Sequence, residues 1–440
     1  MRVGDTLSLT PALLLTRKVV DVTIVAKFFV EEVLTLNIFL LLTIALAIII
    51  VLLRFKIPIG ACMLVSGLFI WLVRSASPLT LLQAAYETFT LPRTYDIIFA
   101  LYFVMCLEIE LRLSGALTDM VKALRRTCSN VKILLATMPA FLGLLPSVGG
   151  ARFSAPIVEE LSAKINLSPE HKAAINFWFR HLFEFSSPII PGMIMACSIA
   201  GVTFGTFISH LCWLTVLAFA VGWLILIRPI KIPREAKIVE TAAEIRHERN
   251  GLILALLPVI AVFAVVVFGG LNASTATGLI IVGLVFVLAI VKRPVGVREI
   301  FLGAFDVKMT LNICCILYFI QLLSVTDVLT EIVAAFQASP LPVAVIIACV
   351  SLIIGVLTGM SQGHVAIVMP IVAAMGTGDL NLAGVAMAFG VAGQMLTPTH
   401  VCLIVTVDYF KSDLLATLKP VLLCEVIILT IFSAYTFLTW

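Results

Sequence analysis

The chain has 440 residues, of which 61% are hydrophobic and only 12% charged, with a mean hydropathy of +1.16 and a net charge of +4. Soluble domains carry about 25% charged residues, so this composition excludes an ordinary soluble protein and predicts an all-α polytopic membrane protein with about ten crossings of roughly 20 residues each. Nothing resembles a phosphate loop, a dinucleotide fingerprint, a zinc motif or a basic strip with interleaved aromatics, which sets aside nucleotide-driven transport, nucleic-acid partners and any cofactor beyond a coupling Na+ or proton.

Residues 1–34 are mixed, with Arg17, Lys18, Asp21, Lys27, Glu31 and Glu32 interrupting short apolar runs, and read as an extension or interfacial segment. Apolar spans follow at about 36–53, 57–73 and 96–113. A basic segment through Lys122, Arg125 and Arg126 leads into a stretch at about 132–163 whose centre is Leu145-Pro-Ser-Val-Gly-Gly-Ala-Arg-Phe-Ser-Ala-Pro156. Glycines, a hydroxyl and one arginine inside an apolar run do not suit a continuous membrane helix. Lipid leaves exposed backbone groups unsatisfied, so irregular backbone at membrane depth must be buried in protein or line a watery cavity. The stretch therefore reads as a re-entrant hairpin. A helix at about 170–207 follows, broken at Ser186-Ser187-Pro188 and Pro191-Gly192, and then a span at about 209–228.

The polar linker at about 229–250 divides the chain into repeats covering 35–228 and 251–440, and its portion from Glu235 to Arg249 has the composition of a short surface helix. The second half repeats the order, with spans at about 252–268, 274–292 and 308–334, a hairpin at about 341–375, a broken helix at about 382–409 and a last span from about 419. Its hairpin tip contains Ser361-Gln-Gly-His364, and its break is Thr397-Pro398-Thr399. Leu101-Tyr-Phe103 recurs as Leu317-Tyr-Phe319, Leu117-Thr-Asp119 as Leu329-Thr-Glu331, Pro156-Ile-Val158 as Pro370-Ile-Val372 and Pro188 as Pro398, at offsets of 216, 212, 214 and 210. Five crossings per half would turn the second half upside down, the inverted-repeat architecture of secondary transporters. With these spans, about 21 of the 29 basic residues, including the linker's, fall on one side. The positive-inside rule makes that side cytoplasmic, with both termini outside a plasma membrane protein.

Paired hairpins with small polar tips, each followed by a proline-broken helix, resemble the ion transporter superfamily, and within it the ten-span members known as domain-of-unknown-function family 401. The resemblance covers about residues 35–440 and implies an elevator mechanism, carboxylate-like substrates and a scaffold domain able to form a homodimer. Symporters of that superfamily carry Ser-Asn-Thr at both tips, whereas these tips read Ser147-Val-Gly-Gly150 and Ser361-Gln-Gly-His364. That difference leaves the coupling ion open between sodium and a proton.

The residues carry their own expectations. A charge at the bilayer centre costs roughly 2.5–3.5 kcal/mol on insertion scales, so Arg152 needs a cavity, an anion or a carboxylate partner. Substrate binding is one role, and pairing with Glu159, Glu160 or Glu184 is the structural one. Gly149 and Gly150 suit a backbone nest for an anion, or simply a tight turn. Arg180, His181 and Glu184 share one helical turn, where Arg180 and Glu184 either pair or leave Glu184 as a proton carrier. Ser147, Ser186, Ser187, Ser361, Gln362, Gly363, His364, Gln394, Thr397, Thr399 and His400 offer groups at the tips and breaks for a substrate or a hard cation. His364 and His400 read equally as packing residues. The ten cysteines lack metal-ligand spacing and read as free thiols. The expectation is a secondary transporter of small organic anions in contact with membrane lipid. A cation/proton antiporter using Glu184 is the alternative, and an intramembrane enzyme with Ser147 or Ser361 as nucleophile explains neither the repeat nor the breaks.

Overall fold

The computed structural model describes residues 37–127, 130–144, 151–163, 165–231 and 242–440. The described chain is helical throughout, and ten helices on either side of the linker follow the same order. In the first half these are α1 (Ile38–Arg54), α2 (Ile59–Arg74), α3 (Pro78–Thr90), α4 (Pro92–Leu113), α5 (Ala116–Thr127), α6 (Val131–Gly143), α7 (Ala151–Ser162), α8 (Pro169–Arg180), α9 (Pro191–Ala200) and α10 (Phe204–Gly222). In the second half they are α11 (Ala242–Val267), α12 (Ala273–Ile290), α13 (Val297–Gly303), α14 (Val307–Val325), α15 (Val328–Gln337), α16 (Val343–Thr358), α17 (Ser361–Met375), α18 (Leu380–Met395), α19 (Val401–Phe410) and α20 (Leu414–Thr439). Among the described residues, α10 with the turn that extends it, α12, α14 and α20 are long and apolar enough to cross a membrane unaided, and ten shorter helices are also apolar.

Three local departures from the sequence expectations have physical causes. The stretch at 308–334 is two helices, because Asp327 takes a left-handed backbone (φ 58°) and ends the run without any glycine or proline to mark the place. The amphipathic α3 opens on Pro78, whose fixed φ suits a first helical position. At the linker, the helix beginning at Ala242 continues into the following span, so that part of the linker is no separate surface helix.

Contacts between the halves come in pairs related by exchange. Helix α2 packs on α14 while α12 packs on α4, and α3 meets α14 while α13 meets α4. The tyrosine of each Leu-Tyr-Phe motif explains why that motif occurs twice. Tyr102 on α4 donates to the carbonyl of Phe301 in α13 at 2.9 Å, and Tyr318 on α14 donates to Leu81 in α3 at 3.1 Å. The same exchange holds where α6 packs on α7 and α8, as α16 does on α17 and α18, and where α9 meets α17 as α19 meets α7.

The most extensive pairing joins α16 to α18, and small residues make it possible. A Cβ on Gly355 would lie 2.3 Å from the Gly390 carbonyl, and one on Gly393 would lie 2.3 Å from that of Leu352. Such close backbone approach is how helices gain van der Waals contact in lipid, where hydrophobic burial supplies no drive. Buried Asn176 on α8 then ties the two broken helices together by donating to Thr406 Oγ1 on α19 at 3.1 Å.

Candidate functional site

Between the two breaks lies a cavity of about 270 Å³. One wall is apolar, from Leu101, Val104 and Met105 of α4 and Met309 of α14; the opposite wall carries Arg180, His181, Glu184, Ser361, Gln362, Gln394, His400 and Cys402. Each polar residue is there because a helix stops. Helix α8 opens on Ser168, whose hydroxyl accepts from the His171 amide, and Pro169, and it closes at His181. A short 3-10 turn, Leu182–Phe185, then carries Glu184. Helix α16 ends on Gly359 in the left-handed conformation (φ 67°), and Thr399 Oγ1 would sit 2.7 Å from any Cβ there, so the turn between α16 and α17 lies directly on the second break.

Three helices begin at this cavity: α9 at Pro191, α17 at Ser361 and α19 at Val401. None of the three has a side-chain cap. Side-chain caps are also absent from α2, α3, α4, α12, α13, α15 and α16, while α8, α10, α14, α18 and α20 are capped by Ser168, Thr203, Asp306, Asp379 and Asp413, so it is the convergence of the three N-termini on one cavity that distinguishes them. Uncapped N-termini carry donor groups and a partial positive charge, which together make an anion site.

The buried Arg180 adds a full positive charge, its Nη1 donating to the Leu142 carbonyl at 3.2 Å. Its expected ion pair with Glu184 is not formed among the described residues. Because α8 has already ended, Glu184 no longer sits one helical turn from Arg180. Its carboxylate faces Ser361 and Gln394 instead, and Oε2 has no hydrogen-bond partner. Glu159, one of the expected partners of Arg152, is held by Lys172 at 2.9 Å.

The other sequence candidates divide clearly. Arg180, His181, Glu184, Ser361, Gln362, Gln394 and His400 come together in the cavity, whereas Ser186, Ser187, Gly363, His364, Thr397 and Thr399 do not line it. Ser186 accepts a hydrogen bond from Thr215 of α10 at 2.9 Å, and the Ser187 hydroxyl caps its own turn. His364 is fully buried with its ring where a Cβ of Gly390 would be, and neither ring nitrogen has a hydrogen-bond partner among the described residues. Gly363 packs on Thr358, and Thr397 and Thr399 hydrogen-bond to each other at 2.9 Å. Ser147, Gly149 and Gly150 lie outside the described residues, as does the side chain of Arg152 in the first turn of α7. Sequence reasoning missed Cys402, which resembles any other apolar-run thiol; its position three residues after Thr399 was the available signal.

A polytopic all-α bundle with a polar cavity at paired helix breaks defines the class, a membrane protein of transporter-like fold. The chain belongs to the DUF401 family, a protein family of unknown function whose model matches residues 21–438. It is similar in fold to the Alcanivorax borkumensis YdaH transporter, with a TM-score of 0.54 and 13% identity over 81% of this chain and 86% of that one. No curated protein matches the sequence.

Proposed function

We propose that the protein is a secondary active transporter of small organic anions with carboxylate-like groups, coupled to a sodium or proton gradient. The observation that carries this reading is the convergence of three uncapped helix N-termini and buried Arg180 on one cavity. Its volume of about 270 Å³ lies just below the roughly 300–1,000 Å³ typical of ligand pockets, which suits a small acid better than a bare ion. The similarity to a transporter supports a transport role, and the resemblance to the ion transporter superfamily supports the carboxylate assignment.

The exchanged helix contacts support two inverted repeats with re-entrant hairpins α6–α7 and α16–α17. The grouping of the helices supports an elevator. The hairpins and broken helices pack mainly on one another and on α10 and α20, while α1–α4 and α12–α14 form a second group able to serve as a dimerising scaffold. The cavity lies where α4 and α14 of that scaffold face the breaks. Arg152, in the first turn of α7, is a second candidate anion ligand in this reading, and Ser147, Gly149 and Gly150 are further candidates from the sequence.

Orientation has a direct test. Single cysteines at exposed Lys231 and Asn272, on either side of α11 in a background stripped of native thiols, should be labelled from opposite faces of the membrane, Lys231 from the cytoplasm. Labelling of both from one face removes the inverted repeat.

Function is tested by uptake of di- and tricarboxylates into proteoliposomes under imposed sodium or proton gradients. Glu184, which lines the cavity and keeps one buried carboxylate oxygen without a partner, is the proton carrier if the proton drives transport. Glu184→Gln should then abolish gradient-driven uptake while substrate exchange at zero gradient survives. A mutant that keeps its full response to a pH gradient makes Glu184 structural and sodium the coupling ion. Cation exchange without uptake of any organic anion would establish the antiporter instead.

A further inference from the structure

The mechanism above uses Arg180 and Glu184 but leaves the two cavity histidines and Cys402 without a task. His181 closes α8 in the first half and His400 opens α19 in the second; Cys402 follows two residues later. One ligand atom from each of the three lies within 4.8 Å of the others. The two imidazole rings meet edge to face with centroids 4.8 Å apart. Each ring is also fixed from behind. Nδ1 of His181 lies 2.7 Å from the Phe177 carbonyl, and Nδ1 of His400 lies 2.9 Å from that of Gln394. A carbonyl accepts only from N–H, so both rings carry their proton on Nδ1 and keep the lone pair of Nε2 free. This back-side hydrogen bond is the arrangement that orients metal-binding histidines.

We propose that His181, His400 and Cys402 form a site for one borderline-soft divalent cation of the Zn2+ class. Two imidazoles and a thiolate are the ligands such ions select over oxygen-only sets, and three protein ligands leave a fourth position open. That position faces the cavity, where the partnerless Oε2 of Glu184, a water or a substrate carboxylate can occupy it. Metal–nitrogen and metal–sulfur bonds of about 2.0–2.1 and 2.3 Å put tetrahedral ligands about 3.3–3.8 Å apart. The three side chains must therefore close by about 1 Å, a small rotamer adjustment at the ends of two helices. Binding replaces the S–H bond of Cys402 by a sulfur–metal bond and releases that proton to solvent through the cavity. Arg180 is in hydrogen-bond contact with the Cys402 sulfur and opposes a cation, so metal binding turns that sulfur away from the guanidinium, and the Cys402 thiolate and Glu184 carboxylate offset the added charge. With the ion in place, the metal and Arg180 together strengthen the attraction of the cavity for anions.

The test uses the full-length protein in detergent without substrate, so it is independent of whether anions are transported. Titration with Co2+ should give one equivalent of binding with thiolate-to-metal charge-transfer absorption, and Zn2+ should displace it stoichiometrically. Cys402→Ser should remove the charge-transfer band and weaken Zn2+ binding at least tenfold, and His400→Gln should weaken it similarly. Cys349→Ser, at an exposed thiol on α16, should change neither. Should Cys402→Ser fail to fold, the wild-type protein decides the matter, because Zn2+ must protect Cys402 from alkylation as mapped by mass spectrometry. Absence of the charge-transfer band, equal binding by Cys402→Ser, or alkylation of Cys402 at an unchanged rate overturns the site. Loss of metal binding with intact anion uptake would leave the transport proposal standing, and the converse would leave the metal site standing.

Discussion

Arg180→Ala should reduce anion uptake by about 100-fold while the protein still inserts and purifies as a single species. Arg180 is 6% exposed and lines the cavity. Hydrogen bonds to charged groups contribute about 1.5–3 kcal/mol each, and a guanidinium can offer two in parallel to one carboxylate. Loss of one such bond costs roughly 10- to 150-fold in binding, and loss of both costs more. Arg180→Lys keeps the charge but not the fork, so its affinity should fall between the two. Uptake at several substrate concentrations distinguishes a binding defect, which raises KM, from a defect in movement. Normal uptake by Arg180→Ala would shift the anion site to Arg152, and loss of the protein from the membrane would make Arg180 a packing residue tied to Leu142.

A single methyl group at Gly143 should be nearly as damaging for a different reason. The Cβ of Gly143→Ala would fall 1.9 Å from the carbonyl oxygen of Arg180. The Cβ position is fixed by its own backbone and the oxygen it meets is backbone, so no side-chain rotation relieves the overlap, and α6 must move off α8. Overpacking of this kind costs about 1–3 kcal/mol, occasionally more. The same movement would break the bond from Arg180 to Leu142 O and displace the guanidinium. Thermal unfolding should fall by several degrees and substrate affinity should fall with it. Gly283→Ala on α12, where an added Cβ meets nothing within 4 Å, is the control that should leave both unchanged. Equal melting of the two variants would mean that α6 and α8 can separate freely.

The sequence exposed the helices whose signal is local and concealed relations that depend on distance. Apolar runs and prolines marked most of the helices and the interruptions near Pro188 and Pro398 because lipid penalises every unsatisfied backbone group. The short α13 and the amphipathic α3 carry no such signal, since neither is apolar throughout. At Asp327 the break rests on one left-handed residue that nothing in a Val-Thr-Asp-Val run announces. Arg180 and Glu184 stood at a spacing that suggests a helical pair, but a turn of 3-10 helix between them changes their directions. That His181 faces His400 depends on the end of α8 meeting the start of α19, a fact held in tertiary packing and in no local pattern. Cys402 acquires significance only once that meeting is seen.

The exchange of helices between halves also sets a clock. The amide of Gly60, at the start of α2, donates to Asn312 Oδ1 at 3.0 Å, and that acceptor lies 252 residues further along the chain. At about 5–20 residues per second of synthesis, α2 waits on the order of 10 to 50 s before the helix it packs against exists. Through that interval α6, α7 and α8 can pack on one another, but the face that α2 turns to α14 is without its partner. Closing that contact is therefore a late event in biogenesis, however much the first half has already packed within itself.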